Sequence, residues 1–220
     1  MFSETPLLQP IKSSRHSHVI DEEQINQLAN GTLEILAETG VHCPSEKCLK
    51  IYAEHGAQVD FDKQIVRLAP ELVKSSLATA PRYFSMGARS PGHEIHLDGS
   101  GWYCATDGCG VETIDFATRQ RRPSCKDDIA KMARIADYLT SIGFYWPIVS
   151  ATDYASTSPL HELDASFNNT VKHIQSETVM GERLGKYAIE MAKVIAQNEE
   201  TMHKRPPLSL LVCCIAPLAQ

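Results

Sequence analysis

No stretch of the chain carries the ~20 consecutive apolar residues that a membrane-spanning helix requires. Residues 1–20 have no charged segment followed by an apolar core, so they read as a polar arm rather than a secretion signal. A basic excess is missing too. The formal net charge is −6, which argues against nucleic acid as the main partner, because phosphate recognition wants a positive surface. There is no internal repeat and no low-complexity tract. Gly99-Ser-Gly101 and Gly108-Cys-Gly110 lack the third glycine and the strand-to-helix setting of a dinucleotide loop. They read as tight turns or places where backbone approaches a ligand closely. What remains is an ordinary globular composition, 43% hydrophobic and 22% charged. Seven cysteines, an odd count without a signal peptide, point to reduced thiols and a cytoplasmic protein.

Asp21 with Gln24 is a capping-box pattern opening a helix whose apolar residues are Ile25, Leu28, Leu33, Ile35 and Leu36, ended by Gly40. Ser45 caps a short second helix. A hairpin turns at Asp60-Phe-Asp-Lys63, and Pro70 starts a third helix carrying Leu72, Val73 and Leu77. From Tyr83 to Phe116 glycines separate short runs that read as antiparallel or edge strands. Ser124 with Asp127 is read as the cap of a helix carrying Ile129, Met132, Ala133, Ala136 and Leu139. Thereafter strands at residues 142–150, 173–177 and 208–215 alternate with helices at about residues 160–168 and 182–197. Strand–helix alternation of this kind is the mark of parallel βα units, whose chemistry sits at the carboxyl ends of the strands. Three parallel strands do not close a barrel, and an open edge invites pairing. The chain therefore reads as a piece of a larger fold or one completed by another chain. The predicted organisation is an arm over residues 1–20, a helical and β cap over 21–136, and the first βα units over 137–220.

Several stretches in order resemble the trimethylamine–corrinoid methyltransferase family, including its members that lack pyrrolysine and demethylate betaines. They are Leu36-Ala-Glu-Thr-Gly-Val41, Tyr52-Ala-Glu-His-Gly-Ala-Gln-Val59, Val66-Arg-Leu-Ala-Pro-Glu-Leu-Val73, Ala78-Thr-Ala-Pro81, Ile114-Asp-Phe-Ala-Thr-Arg-Gln-Arg-Arg-Pro123 and Asn169-Thr-Val-Lys-His173. The resemblance implies an α/β fold: an N-terminal α+β cap followed by a partial (β/α)8 TIM-type barrel with its first three βα units. It implies methyl transfer from a small methylated amine or betaine to the cobalt of a corrinoid on a separate protein, with no corrinoid bound directly by this chain. It also implies a homo-oligomer. The family's chains are about twice as long, and its pyrrolysine position lies beyond Gln220.

A quaternary ammonium has no N–H to donate, so its recognition rests on aromatic faces, each worth about 0.5–2 kcal/mol, and on carboxylates. Trp102, Tyr103 and Trp146 are candidate aromatic contacts, with core packing as the open alternative. Pro147 after Trp146 hints at a bulge or an early strand end. Glu177 and Asp153, at strand ends, are the candidate catalytic carboxylates, to balance the substrate cation or orient the leaving amine. Tyr154, His173 and Gln175 are candidate substrate contacts, His173 for a betaine carboxylate. For each, an ordinary cap, salt-bridge or strand residue is the alternative. Arg119, Arg121 and Arg122 form a basic run on a hairpin, read as a solvated face or a docking surface. Two other functions stay open. One is a non-catalytic module binding quaternary amines or a partner chain. The other is a zinc-dependent methyltransferase using Cys43, Cys48, Cys104 and Cys109. Cys213-Cys214 reads as a buried pair of small apolar residues.

Overall fold

The structure, a computed structural model, describes residues 5–12, 19–213 and 218–219. Cys214 and Ile215, which close the predicted third strand, and part of the amino-terminal arm lie outside the described residues. The chain divides into two compact units, one of residues 1–13 and 83–212, the other of residues 14–82 and 213–220.

In the smaller unit, helix α1 (Glu22–Glu38) opens with the predicted capping box. Asp21 accepts from Gln24 N at 2.8 Å, and Gln24 accepts from Asp21 N at 3.0 Å. Strand β1 (Val41–His42), helix α2 (Glu46–Glu54), strands β2 (Gln58–Asp60) and β3 (Ile65–Arg67), and helix α3 (Pro70–Thr79) follow. β2 and β3 pair antiparallel across the predicted turn, and β1 pairs on the other edge of β3. Gly40 sits at φ +77°, and a Cβ there would lie 2.4 Å from the carbonyl oxygen of Val66, so the helix-to-strand corner requires glycine. Cys43, Leu49 and Val66 form the small core. The apolar positions of α1 and α3 are less buried than their periodicity implies. Ile25, Leu28, Ile35 and Leu77 stay exposed, and Leu36, Leu72 and Val73 line a shallow apolar groove with Ile51 and Leu68.

The larger unit begins with two antiparallel pieces in its glycine-punctuated stretch, as the sequence texture predicts. β4 (Phe84–Met86) pairs with β5 (Ile95–Leu97), and β7 (Glu112–Ile114) with β8 (Arg121–Pro123). Between them β6 (Cys104–Ala105) is an edge strand, but a parallel one. It pairs parallel with β9 (Ile142–Tyr145), which pairs parallel with β10 (His173–Ser176), which pairs parallel with β11 (Leu208–Leu210). The parallel sheet thus has four strands, in the order β6-β9-β10-β11. Helices α4 (Lys126–Tyr138), α5 (Ser158–Phe167), α6 (Gly181–Ala196) and α7 (Glu199–Lys204) lie in the connections.

Alternation along the strands assigns the two faces of this sheet. Tyr145 packs with Ile129, Ala133 and Ala136 of α4, while its paired neighbour Ile174 packs with Leu163 and Phe167 of α5 and Ala188 and Ala192 of α6. All three helices therefore cover one face. The opposite face carries Phe144 and Trp146 of the β9 segment, His173 and Gln175 of β10, and Ser209 of β11. The rings of Phe144 and His173 meet edge-on with centroids 6.5 Å apart. α6 turns alanines inward, Ala188, Ala192 and Ala196, while Tyr187 is exposed. Small residues let it approach α5 closely.

Two details differ from the sequence reading for physical reasons. The α4 cap falls one residue later, on Cys125 and Asp128, because Ser124 is engaged elsewhere: its hydroxyl donates to Ser150 O at 2.7 Å. β9 stops at Tyr145, before Pro147, whose missing N–H ends the ladder as the proline implied. The described part of the arm runs along this unit, with Ile11 bridged antiparallel to Trp102 and Gln9 N donating to Thr140 O at 3.0 Å.

Candidate functional site

The carboxyl ends of β6, β9 and β10 bring together a site within the larger unit. The register of β6 shifts between Cys104 and Ala105, and beyond it Thr106 ties the chain to Trp146 with its side chain. Its hydroxyl accepts from Trp146 N and donates to Trp146 O, both at 2.7 Å. The chain meets the segment that follows β9 at Gly110, which forms a parallel bridge with Val149. Between these two anchors Gly108 presses its backbone against Trp146. A Cβ at 108 would lie 2.2 Å from Pro147 O, 2.8 Å from Cδ1 and 2.9 Å from Nε1 of the indole. The Gly108-Cys-Gly110 pattern is therefore a place of close approach, but to an aromatic side chain and a carbonyl of the next strand.

Cys109 stands at φ +83°, the left-handed region that side chains avoid. Its thiol donates to Oε1 of Glu177, the residue that follows β10. Local desolvation, then the hydrogen bond to and charge of Glu177, push the thiol up to about 12, and the carboxylates of Glu162 and Asp107 add to the rise. At neutral pH the thiol is a protonated donor. Glu162, buried on α5, accepts from Thr178 Oγ1 at 2.5 Å and from Ser158 Oγ at 3.0 Å. Trp146 and Glu177, both half-buried, are joined through this loop, and three carboxylates gather around one thiol. The chemistry on offer is an aromatic face beside a negative field, which suits a cation.

His173 and Gln175 lie on the same sheet face, further down β10. His173 is buried. Its Nδ1 is 2.7 Å from Gly87 O, which can only accept, so Nδ1 carries the proton and Nε2 accepts from Ser209 Oγ at 2.9 Å. Burial pulls its pKa down, with the hydrogen bonds to backbone acting the other way, so the ring is neutral at pH 7. Ser209 Oγ also lies 3.4 Å from Gln175 Oε1. Both ring nitrogens of His173 are thus satisfied inside the protein, which makes it a fixed strand residue beneath the site.

The remaining predicted contacts are elsewhere. Trp102 and Tyr103 precede β6, at the amino end of the sheet, opposite to the end that carries Glu177. Trp102 is 64% exposed, and Tyr103 packs over Gly143, on the face of β9 that bears Tyr145. Asp153 accepts from Lys126 N at 3.0 Å, serving the first turn of α4. Tyr154 is stacked on His161, with centroids 3.5 Å apart and planes 19° apart, and Lys126 Nζ stands 5.5 Å from its ring. That ring is already occupied, and no hydrogen bond links Asp153 to Glu177 among the described residues. Of the basic run, Arg122 is not simply a solvated face: it holds Asp128 and reaches Asp115. Sequence reasoning misses Cys109, Glu162 and Thr178 as members of this site. The cue for Cys109 is a side chain set between two glycines. For Glu162 and Thr178, on opposite sides of a connection, no local pattern signals the contact.

Among the described residues no group of three or more His, Cys, Asp or Glu is arranged to hold a metal ion. No helix is long and apolar enough to cross a membrane among the residues described.

Comparison with known proteins bears on the same chemistry. The chain is 30% identical over 198 residues to a trimethylamine methyltransferase MttB of Desulfitobacterium hafniense, a match covering 90% of this chain and 40% of that protein. It is 27% identical to trimethylamine methyltransferase MttB2 of Methanosarcina mazei, over 89% of this chain and 41% of the relative. It is 22% identical to a glycine betaine methyltransferase of Desulfitobacterium hafniense, over 91% and 42%. The chain spans about 40% of the length of these relatives. The family model for trimethylamine methyltransferase (MTTB) matches residues 3–219, and the chain belongs to that family.

Proposed function

We propose that this chain supplies the amine-binding part of a methyltransferase. The enzyme would move a methyl group from a tertiary or quaternary amine, or a betaine, to the cobalt of a corrinoid carried by a separate cytoplasmic protein. The observation that carries the reading is the joining of Trp146 and Glu177 at the carboxyl ends of parallel strands, within a field of three carboxylates. The names of the matched relatives supply the substrate class. The four-stranded sheet, in sequential order with its helices on one face, fits the opening segment of a TIM-type barrel, whose carboxyl rim is where such sites lie.

A carboxylate–indole site fits the cation of the methyl donor, and the corrinoid would be held by the partner protein. A reduced corrinoid on the docked partner would supply the electron pair that accepts the methyl group. This chain's residues orient the donor. Trp146 meets the N-methyl groups with its ring face, and Glu177 balances the ammonium in the bound state. As the methyl group leaves, the amine loses its charge, and Glu177 no longer retains it.

The test is binding of tetramethylammonium and of glycine betaine to the chain by calorimetry, with Glu177→Gln and Trp146→Leu beside the parent protein. Each substitution is expected to weaken the cation's affinity by about tenfold, the size of one lost charge or cation–π contact. Equal affinity in all three proteins would defeat the proposal. Betaine uptake without cobalt methylation by any corrinoid protein would leave a binding module instead of an enzyme.

A further inference from the structure

We infer that Cys109 is a positioning residue for this site: its thiol, donated to Oε1 of Glu177, fixes the carboxylate in one orientation and leaves Oε2 for the ligand's cation. The inference rests on the proposed amine site and adds a part to it. Three independent observations meet at this residue. The first is the contact itself, made between a loop and a strand end 68 positions apart in sequence. The second is the backbone. Cys109 holds φ +83° between two glycines, where a third glycine would relieve the conformation at once. A side chain kept in that region is the kind of outlier that marks a working position. The third is rigidity. Thr106 on one side and the Gly110–Val149 bridge on the other pin the loop to the segment that follows β9, so the sulfur has little freedom to leave Glu177. Oε2 of Glu177 has no hydrogen-bond donor among the described residues. A thiol suits the task better than a cation would. It orients the carboxylate without neutralising it, so the negative charge remains for the ligand. Because the sulfur stays protonated at neutral pH, the donor role persists.

Two measurements on the chain test this, one without any ligand. Alkylation of Cys109 by iodoacetamide at about pH 8, followed on its peptide by mass spectrometry, reads how tightly the thiol proton is held. Replacing the carboxylate in Glu177→Gln is expected to speed this reaction about tenfold, a shift of roughly one pKa unit. An unchanged rate overturns the inference. The second measurement is tetramethylammonium affinity. Cys109→Ala and Cys109→Gly are expected to weaken it several-fold, and Cys109→Ser, whose hydroxyl can donate along the same direction, to recover most of the loss. Cys109→Gly is also expected to melt no lower than the parent, because the backbone strain is gone. A purely structural cysteine would give the reverse: a lower melting temperature and an unaltered affinity. In the Glu177→Gln background, Cys109→Ala should have no further effect on affinity. Should Glu177→Gln leave affinity untouched while still speeding alkylation, the amine site falls and the thiol–carboxylate coupling stands.

Discussion

Arg122 grips Asp128 with both guanidinium nitrogens, Nη1 to Oδ2 at 2.7 Å and Nη2 to Oδ1 at 2.8 Å. The pair ties the end of β8 to the first turn of α4. Asp128 does two jobs there, since its Oδ2 also accepts from Cys125 N at 3.0 Å and so caps the helix. Hydrogen bonding from Arg122 outweighs desolvation and holds the Asp128 carboxyl well below the usual carboxylate range. A depressed carboxylate contributes stability that is complete above its ordinary value of 3.8 and is lost as pH falls below it. Arg122→Met is therefore expected to lower unfolding stability at neutral pH, by less than the loss of a fully buried pair because the guanidinium is partly exposed. The deficit should shrink as the solution is taken below about pH 3. Urea denaturation of both proteins across that range checks it, and a gap that ignores pH would assign the loss to packing instead.

His173 gives a titration of the opposite kind at milder pH. Desolvation keeps its ring neutral in the folded chain, whereas the unfolded chain takes up a proton near the ordinary value of 6.5. Stability is complete above that value and declines as pH drops through it, because folding must then expel the proton. The slope is at most about 1.4 kcal/mol per pH unit for one group. In His173→Leu the slope between about pH 6.5 and 5 should flatten, even though overall stability falls with the loss of the Gly87 and Ser209 bonds. Thermal melts at stepped pH would show whether the parent alone bends downward there.

Lys172 is buried beside that histidine, and its side chain points the other way. Nζ donates to Ala136 O and Leu139 O, both at 2.7 Å, and so closes the carboxyl end of α4 with a positive charge. Desolvation pulls its pKa down to about 8 from 10.5, against the attraction of Asp137. A lysine with a lowered folded pKa costs stability wherever the unfolded chain is protonated. That cost is full below about 8 and fades as pH rises to 10.5. The parent protein should therefore gain up to a few kcal/mol, relative to Lys172→Met, between those two pH values. Chemical denaturation at the two ends of the window measures the gain. Parallel curves for the two proteins would mean that the ammonium is not desolvated.

Element types are legible in the sequence wherever one periodicity and one cap act together. Asp21 with Gln24 announces α1, and apolar runs separated by helical stretches announce β9, β10 and β11. The same local signals misplace the α4 cap by one residue, because Arg122 and Ser150, from outside the pattern, decide which of two adjacent residues is free to cap. Glu177 is legible from its place at a strand end and Trp146 from its ring beside a strand-ending proline, and these are the two that the structure brings to one loop. Trp102 and Tyr103 stand out as aromatics alone, and aromatic character does not encode the direction of a strand. Only the pairing of β6 with β9 shows that they precede the sheet while Thr106 and Cys109 follow it. Contacts such as Thr178 with Glu162 depend on how a helix is set against its neighbouring strand, and no spacing in the chain records that.

Gly108 joins the two halves of the site, and its replacement separates binding from folding. In Gly108→Ala the new Cβ would stand 2.2 Å from Pro147 O, a backbone atom that cannot swing aside, and 2.8 Å from the indole of Trp146. The loop must lift, carrying Cys109 away from Glu177 and opening the contact with the ring. A stability cost of about 1–3 kcal/mol is expected from the overpacking, together with a several-fold loss of tetramethylammonium affinity. Gly99 supplies the control. It sits at φ +82° with nothing within 4 Å of where a Cβ would stand, so Gly99→Ala strains the backbone without pushing on any neighbour. That variant should lose about 1 kcal/mol of stability and bind the cation as the parent does. Denaturation and calorimetry on the two variants together make the comparison. If both lose stability and both keep their affinity, the loop from Thr106 to Gly110 has no part in holding the ligand.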